Sequence, residues 1–139
     1  ACMTLLRAHG IDPAGKRVTV VGRSLVIGRP AALLLTRANA TVTLCHRKTP
    51  DLAARCRAAD ILLAAAGAPG LITPECVRPG QIVLDAGATA LSDGTLRGDV
   101  TPAAAAIAAC TPVPGGIGSV TTALLLRHTV QAAEKSHHF

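Results

Sequence analysis

Short apolar runs rich in β-forming residues alternate along this chain with runs that favour helix. The strand-type runs are apolar throughout instead of alternating with polar residues, which is typical of a parallel sheet buried on both faces. The alternation predicts an α/β fold: a doubly wound, mainly parallel sheet with helices on both faces. The predicted strands are Arg17–Val21, Thr41–Cys45, Ile61–Ala65 and Gln81–Asp85, and the predicted helices between them are Pro30–Ala38 and Leu52–Ala58.

The pattern changes after Asp85. A turn over Ser92–Thr95 precedes a short predicted strand, Leu96–Val100, and Pro102 is placed to start an Ala-rich helix. A closing helix is predicted over Val120–Ala133. Before it, residues 111–118 hold two prolines and three glycines, which predicts a rigid, shaped loop in which one X-Pro bond is cis.

The length of 139 residues predicts one domain over residues 1–139. Half of the residues are hydrophobic and 16% are charged, which excludes a disordered chain. No Trp or Tyr and a single Phe exclude aromatic platforms for stacking bases. The longest apolar runs are too short to span a membrane, so no membrane partner is expected.

Five dispersed cysteines fit neither a disulfide framework nor paired metal ligands, so we expect reduced thiols and a cytoplasmic location. The chain starts without Met and without a signal pattern, from which we expect a processed or mature cytoplasmic form. His137 and His138 form a poor metal site on their own, and we expect no metal.

The formal net charge is +6. A basic chain suggests nucleic acid as a partner, but 11 of the 14 basic residues are arginines spread along the sequence without a cluster. Nucleic-acid binding therefore stays a weaker alternative, and we expect no nucleic-acid partner. A local cationic pocket for a small polyanion is the better interpretation.

A glycine-bounded turn, from Gly22 to Pro30, joins the first strand to the first helix, where dinucleotides bind in such folds. Gly22 and Gly28 let the backbone approach a pyrophosphate, whose charge is favoured by free N–H groups at a helix N-terminus. The spacing is not G-x-G-x-x-G, so an ordinary strand-to-helix turn is the competing interpretation.

The end of the second strand lacks the acid that usually binds the adenosine ribose of NAD. His46, Arg47 and Lys48 stand there instead, and together with Arg23 they favour a ribose 2′-phosphate. NADP is therefore preferred over NAD. Taken alone, Arg47 and Lys48 would be read as a solvated loop pair.

Other chemistry has little support in the sequence. Gly116-Ile-Gly118 resembles part of a dinucleotide motif, but no predicted strand leads into it. Motifs for phosphoryl transfer, serine hydrolysis and zinc proteolysis are missing. Asp85 and Asp99 lie at a strand end and beyond a turn, where a lone Asp more often braces a loop than reacts.

Five motifs in order resemble the nucleotide-binding domain of bifunctional methylenetetrahydrofolate dehydrogenase/methenyltetrahydrofolate cyclohydrolase. The resemblance runs over about residues 5–135 and implies a Rossmann-like NAD(P)-binding domain. The loop with the sequence Pro-Val-Pro-Gly-Gly is the most distinctive of the five. The motifs are Val20–Pro30, Ala40–His46, Ala59–Leu62, Arg97–Val100 and Thr111–Gly116.

The resemblance implies roles for particular residues, none of them catalytic. Arg23 would lie near the 2′-phosphate of the cofactor's ribose. Arg47 stands at a position where the family often has Ser. Three residues would border the folate cleft: Pro114, Gly115 and Gly116. The cofactor-binding set would be Gly22, Arg23, Ser24, Gly28, His46, Arg47, Gly67, Gly87, Ala88 and Thr121.

The chain departs from the family pattern in three places. Residues 86–89 read Ala-Gly-Ala-Thr where the family usually has Val-Gly-Ile-Asn, and Ser119-Val120 replace Pro-Met, so the nicotinamide pocket is expected to differ. The family's amino-terminal catalytic and folate lobe, with its Tyr and Lys pair, is absent, and the chain has no Tyr.

The resemblance therefore implies the NADP-binding part of a folate dehydrogenase/cyclohydrolase. We expect little activity from the chain alone, a folate substrate shared with the missing lobe, and a homodimer formed through this domain. The short strand Leu96–Val100 is the candidate contact. A non-catalytic dinucleotide-binding regulatory or scaffold domain is the main alternative.

Overall fold

The computed structural model describes residues 1–136, and His137 and His138 lie outside the described part. Five parallel strands form one sheet in the order β2-β1-β3-β4-β7, and a two-stranded hairpin, β5-β6, stands apart from it. The strands are β1 (Arg17–Val21), β2 (Thr41–Cys45), β3 (Ile61–Ala64), β4 (Ile82–Asp85), β5 (Thr89–Ala90), β6 (Leu96–Arg97) and β7 (Ala109–Cys110). The helices are α1 (Cys2–Ala8), α2 (Gly28–Arg37), α3 (Leu52–Arg57), α4 (Pro102–Ala105) and α5 (Ile117–Ser136), and Pro74–Cys76 forms a 3₁₀ turn.

Helices cover both faces of the sheet, which confirms the doubly wound α/β prediction. Alternate residues of β3 point to opposite faces, because side chains alternate along a strand. Ile61 and Leu63 pack with Leu35 of α2 and Leu6 of α1, whereas Leu62 packs with residues of α3 and the 3₁₀ turn. The two apolar layers hold β1, β3 and β4 in the centre.

The edge strand β2 differs from the prediction of strands buried on both faces. Thr41, Thr43 and Leu44 are exposed, and only Cys45 is buried. Edge strands and central strands share this β-type composition, so the composition of the run could not predict whether its residues are buried. In β3 every residue is buried.

Two elements in the second half of the chain were predicted with the wrong bounds, and two further elements were missed. The strand expected over Leu96–Val100 is only the two residues of β6, which pairs antiparallel with β5, while Val100 bridges Ile72. The Ala-rich helix from Pro102 is one turn long, and its apolar continuation becomes β7. Helix α1 and strand β7 were not predicted at all, since both are too short to show a clear period.

No helix within residues 1–136 is both long enough and apolar enough to cross a membrane. The two longest helices reach 20 and 10 residues. Helix α5 carries few buried residues: Ile117, in its first turn, is buried, whereas Leu125, Leu126 and Val130 further along are largely exposed.

Candidate functional site

The carboxyl ends of the five parallel strands bring the predicted site residues to one edge of the sheet. In the register of the sheet, Val21 stands beside Cys45 on one side and Ala64 on the other, and Ala64 stands beside Asp85. The loops that follow these strands therefore start side by side. Ligands of such sheets bind at this edge, at the point between β1 and β3 where the strand order reverses.

The loop after β1 makes a tight turn that requires glycine. Gly22 has a φ of +112°, and a Cβ atom on it would overlap the Ala65 carbonyl. A Cβ atom on Gly28 would overlap the carbonyl of Gly22 in the same way. Both glycines are therefore needed for the backbone to fold back on itself and start α2 here.

Ser24 caps the start of α2. Its Oγ accepts hydrogen bonds from the N–H groups of Ile27 (3.1 Å) and Gly28 (3.5 Å), and its carbonyl accepts one from Arg29 (3.0 Å). By contrast, the N–H groups of residues 23–26 donate to no atom of the described chain. Consecutive free N–H groups at a helix N-terminus are a favourable environment for an anion.

Two basic side chains stand beside this loop without acidic partners. Arg23 and Arg47 are exposed, and within residues 1–136 the ion pairs are those of Asp60 with Arg17 and Arg78, at the opposite edge of the sheet. Asp60 directly precedes β3, which places it at the amino edge. The charges of Arg23 and Arg47 are therefore available to a bound anion.

The turn after β2 is held by its own hydrogen bonds. The His46 N–H donates to Thr49 Oγ1 (2.9 Å), and the Thr49 N–H donates back to the His46 carbonyl (2.8 Å). His46 Nδ1 accepts from the Lys48 N–H (3.2 Å). This closed turn leaves the side chains of Arg47 and Lys48 at its exposed tip. Such exposure is compatible both with a cofactor site and with a solvated loop.

A second group of predicted residues surrounds a cavity of about 890 Å³. The predicted site therefore has two parts along one sheet edge: this cavity and a basic ledge, which is formed by the loop after β1 with Arg23 and by the turn after β2 with Arg47. The predicted residues that lie outside the cavity lining are Gly22, Arg23, Ser24, Gly28, His46, Arg47 and Gly67. Val26 and Ile27, from the end of the β1–α2 loop, contribute to the cavity wall and connect the two parts. Of the predicted set, the lining includes Gly87, Ala88, Pro114, Gly115, Gly116 and Thr121.

The loop before α5 shapes one wall of the cavity. The Val113–Pro114 bond is cis, which confirms the expectation of a cis X-Pro bond in this loop. Gly116 is buried, and a Cβ atom on it would overlap the Pro112 carbonyl. Two predictions here need correction: the short strand β7 does lead towards this loop, and Gly118 lies in the first turn of α5 and not in the loop.

The carboxylates of Asp85 and Asp99 hold the loops at the carboxyl edge of the sheet in place. Asp85 lies at the end of β4 and lines the cavity, but its carboxylate accepts N–H groups from Gly87, Asp99 and Val100 at 2.9–3.0 Å. Burial raises the pKa of the Asp85 carboxyl, although these hydrogen bonds oppose the shift. Both oxygens are occupied, so Asp85 is a loop brace, as the sequence predicted for a lone Asp.

Sequence reasoning treated the two aspartates as separate residues and did not predict that they form one network. No spacing rule connects positions 85 and 99. The only available signal was a glycine close to each aspartate, Gly87 and Gly98. A Cβ atom on Gly87 would meet the Asp99 carboxyl, and one on Gly98 would overlap that of Asp85. Within residues 1–136, no group of three or more His, Cys, Asp or Glu side chains is placed to hold a metal ion.

The chain is similar to one family of known proteins over nearly its whole length. Residues 1–137 match the family model described as "Tetrahydrofolate dehydrogenase/cyclohydrolase, NAD(P)-binding domain". Among curated proteins, the chain is 58% identical over 135 residues to bifunctional protein FolD 1 of Rhodococcus jostii and 55% identical over 130 residues to bifunctional protein FolD of Chloroflexus aurantiacus. The matches cover 96% and 92% of this chain and 46% of each relative, so the chain spans about half their length.

Solved structures show the same partial coverage. The bifunctional FolD methylenetetrahydrofolate dehydrogenase/cyclohydrolase of Campylobacter jejuni superposes with a TM-score of 0.92 at 42% identity, over 97% of this chain and 49% of that one. The Trypanosoma brucei enzyme, complexed with NADP cofactor and an inhibitor, superposes with a TM-score of 0.91 at 42% identity, over 99% of this chain and 50% of that one.

Proposed function

Because this chain belongs to the family of tetrahydrofolate dehydrogenase/cyclohydrolase NAD(P)-binding domains, we propose that it is the NADP-binding half of a methylenetetrahydrofolate dehydrogenase/methenyltetrahydrofolate cyclohydrolase. The observation that carries the proposal is the loop after β1, whose free N–H groups at residues 23–26 lie at the head of α2. A diphosphate needs such a loop, since its charge must be met by donors that the protein does not use itself.

The basic ledge suits NADP better than NAD. Within residues 1–136 Arg23 and Arg47 have no acidic partner, and no carboxylate stands directly after β2 to accept hydrogen bonds from the ribose hydroxyls. Guanidinium groups bind phosphate through paired, charge-assisted hydrogen bonds. In this proposal Gly22, Ser24 and Gly28 shape the diphosphate loop, and His46 orders the turn that carries Arg47.

The cavity is proposed to receive the nicotinamide and the folate side by side. When bound, NADP⁺ would supply the hydride acceptor for the folate methylene group, and the protein's part would be to hold the two reactants in line at contact distance. Gly67, Gly87, Ala88 and Thr121 would line the path of the cofactor. Residues 114–116 would border the folate.

One half of the active site is expected to come from elsewhere. The chain has no Tyr, and Asp85, the carboxylate that lines the cavity, is occupied by three N–H groups. Cyclohydrolysis requires a positioned proton-transfer group, and the carboxylate of Asp85 is not free to act as one. The relatives are about twice as long as this chain, and we propose that a catalytic lobe like theirs completes the cleft.

We also propose a cytoplasmic homodimer that binds neither nucleic acid nor membrane. The β5–β6 hairpin exposes Leu96 and stands apart from the main sheet, which makes it the candidate contact. Light scattering of the purified chain would show a dimer, and Leu96→Asp would convert it to a monomer. A wild-type monomer over the range of 1–100 µM, about the range of ordinary dimer affinities, would refute this part.

Thermal unfolding with NADP⁺ or NAD⁺ tests the cofactor. A ligand at about 100 times its dissociation constant adds about 2.7 kcal/mol to the free energy of unfolding. We expect a clear rise in Tm with NADP⁺, a smaller rise with NAD⁺, and loss of the NADP⁺ effect in Arg23→Ala. Arg37→Ala is the matched control, because Arg37 is an exposed arginine in the last turn of α2, the helix that follows the Arg23 loop, and lies at the other edge of the sheet.

Supplying the amino-terminal half of a relative in trans separates an enzyme part from a non-catalytic module. NADP⁺-dependent oxidation of methylenetetrahydrofolate only in the mixture supports the proposal. NADP⁺ binding without turnover in the mixture supports the regulatory or scaffold alternative. Binding that falls steeply with salt and prefers DNA or RNA would point to the nucleic-acid alternative.

A further inference from the structure

The turn after β3 is tied to a buried carboxylate. Asp99 is fully buried, and its two oxygens accept the N–H groups of three consecutive residues: Ala66 (2.6 Å), Gly67 (3.1 Å) and Ala68 (2.7 Å). Gly67 has a φ of +64°, which directs the neighbouring N–H groups to one side. Such a concave set of N–H groups is an anion site, and here the chain supplies its own anion.

The charge of Asp99 is stabilised by hydrogen bonds from these three N–H groups. Within residues 1–136 the ion pairs involve Asp60 alone among the acids, so no cation neutralises Asp99. A buried carboxylate is costly unless it is fully hydrogen-bonded. The turn over residues 66–68 therefore cannot move away without leaving a buried charge unsatisfied, and its conformation is stiff.

Asp85 holds Asp99 in turn. Asp85 Oδ1 accepts the Asp99 N–H at 3.0 Å and Oδ2 accepts the Val100 N–H at 3.0 Å. The Asp85 N–H donates to Thr111 Oγ1 at 2.8 Å, at the start of the loop that shapes the cavity. The two carboxylates thus connect three loops along the edge of the sheet.

The stiff turn forms part of the wall against which the diphosphate loop packs. Ala65, immediately before it, presents its carbonyl to Gly22 at contact distance, and the Ala65 N–H donates to the Val21 carbonyl at 2.8 Å. A shift of residues 66–68 would therefore displace Gly22 and the free N–H groups that follow it.

From these contacts we propose that Asp99, held by Asp85, is a positioning residue that fixes the turn over residues 66–68 for dinucleotide binding. Asp99 itself touches neither cofactor nor substrate. The inference rests on the proposed function. It gives a role to Asp85 and Asp99, which are not among the residues proposed to contact the cofactor.

Asp99→Asn is the direct test, because it keeps the shape but replaces one acceptor oxygen with a donor. We expect the affinity for NADP⁺, measured by calorimetry on protein shown to be folded by circular dichroism, to fall at least about tenfold, or about 1.4 kcal/mol. Without cofactor, the amide proton resonances of residues 66–68 should move upfield as the carboxylate is lost. Asp12→Asn is the matched control: its carboxylate also accepts a backbone N–H, from Ala14, but at the amino edge, and its affinity should stay unchanged.

Thr111→Val keeps the test decisive if Asp99→Asn does not fold. It removes the acceptor of the Asp85 N–H, and Thr111→Ser restores it, so we expect weaker NADP⁺ binding in the first variant and recovery in the second. Wild-type affinity in Asp99→Asn, or in Thr111→Val where Asp99→Asn is unfolded, overturns the positioning role and leaves the proposed function standing. A wild-type chain that binds no dinucleotide overturns both.

Discussion

The carbonyl of Ala65 fills the space that a Cβ atom on Gly22 would need. Gly22 also has a φ of +112°, which side chains rarely allow. We therefore expect Gly22→Ala to lower the free energy of unfolding by at least about 2 kcal/mol, from backbone strain and overpacking together, and to abolish NADP⁺ binding. Urea unfolding followed by circular dichroism measures the first effect.

Gly80→Ala provides the matched control for this prediction. Gly80 has a φ of +76°, but nothing lies within 4 Å of its missing Cβ. Only the conformational cost of about 1 kcal/mol should remain, and NADP⁺ binding should be unaffected. Equal losses of stability in the two variants would show that close packing on Ala65 contributes nothing.

Arg47 provides the next prediction. It stands at the exposed tip of the turn after β2 and forms no ion pair within residues 1–136. Arg47→Ser should weaken NADP⁺ binding about fivefold, the loss of about 1 kcal/mol from one exposed charge-assisted contact, and leave NAD⁺ binding unchanged. Calorimetry with both dinucleotides distinguishes this from a loss of fold, and Arg97→Ser, on the β5–β6 hairpin, should change neither affinity. A parallel loss for both cofactors would contradict a 2′-phosphate contact.

The thiols of Cys56, which is buried, and Cys110, which is partly buried, should be inert in the folded protein. Burial, with a smaller contribution from the neighbouring thiols of Cys76 and Cys45, raises the pKa of Cys56 to about 12. Burial and then the Asp85 charge raise the pKa of Cys110 to about 11. Since the thiolate is the reactive form, iodoacetamide at pH 8 should leave these cysteines unmodified by mass spectrometry.

Unfolding supplies the control for the thiol prediction. In denaturant all five cysteines should be alkylated at the same pH. Cys2 and Cys110 are both only partly buried, and Cys2, which lacks the neighbouring Asp85 charge that acts on Cys110, is the first expected to react in the native protein. Rapid native modification of Cys56 would mean that the core between α3 and the 3₁₀ turn opens readily.

Asp60 predicts a dependence of stability on pH. Hydrogen bonds from Arg17, and to a smaller extent its charge and that of Arg78, lower the pKa of Asp60 from 3.8 to about 2. A carboxyl whose pKa is lowered by folding contributes stability that is present above pH 3.8 and is lost as the pH falls through about 2. The difference in Tm between wild type and Asp60→Asn should therefore be largest near pH 6 and shrink as the pH falls towards 2. A difference that is constant with pH would rule out this ion pair as its source.

The sequence was most informative where the signal is local. The β1–β3–β4 centre and helices α2 and α3 follow from runs of four to ten residues, and their predicted bounds are right to within two residues. The glycine turn after β1 and the missing acid after β2 were equally visible, because each occupies consecutive positions. A cis X-Pro bond was predicted for the loop of residues 111–118, but only the structure placed it at Pro114.

Short elements and paired surfaces could not be predicted in the same way. A two-residue strand such as β7 has no period of its own and forms because β4 offers its free edge. The exposure of β2 depends on its position at the end of the sheet, which its composition does not reveal.

By itself, the sequence determined the fold class, the order of the cofactor-type motifs and the family, because these depend on local periodicity and on consecutive residues. The tertiary structure alone decided which side chains meet: that Asp99 binds the N–H groups of residues 66–68, some thirty positions away, that Asp85 holds Asp99, and that Arg23 and Arg47 pair with no acid of residues 1–136. The physical reason is that a buried charge takes the donors that packing brings within about 3 Å of it, whatever their distance along the chain.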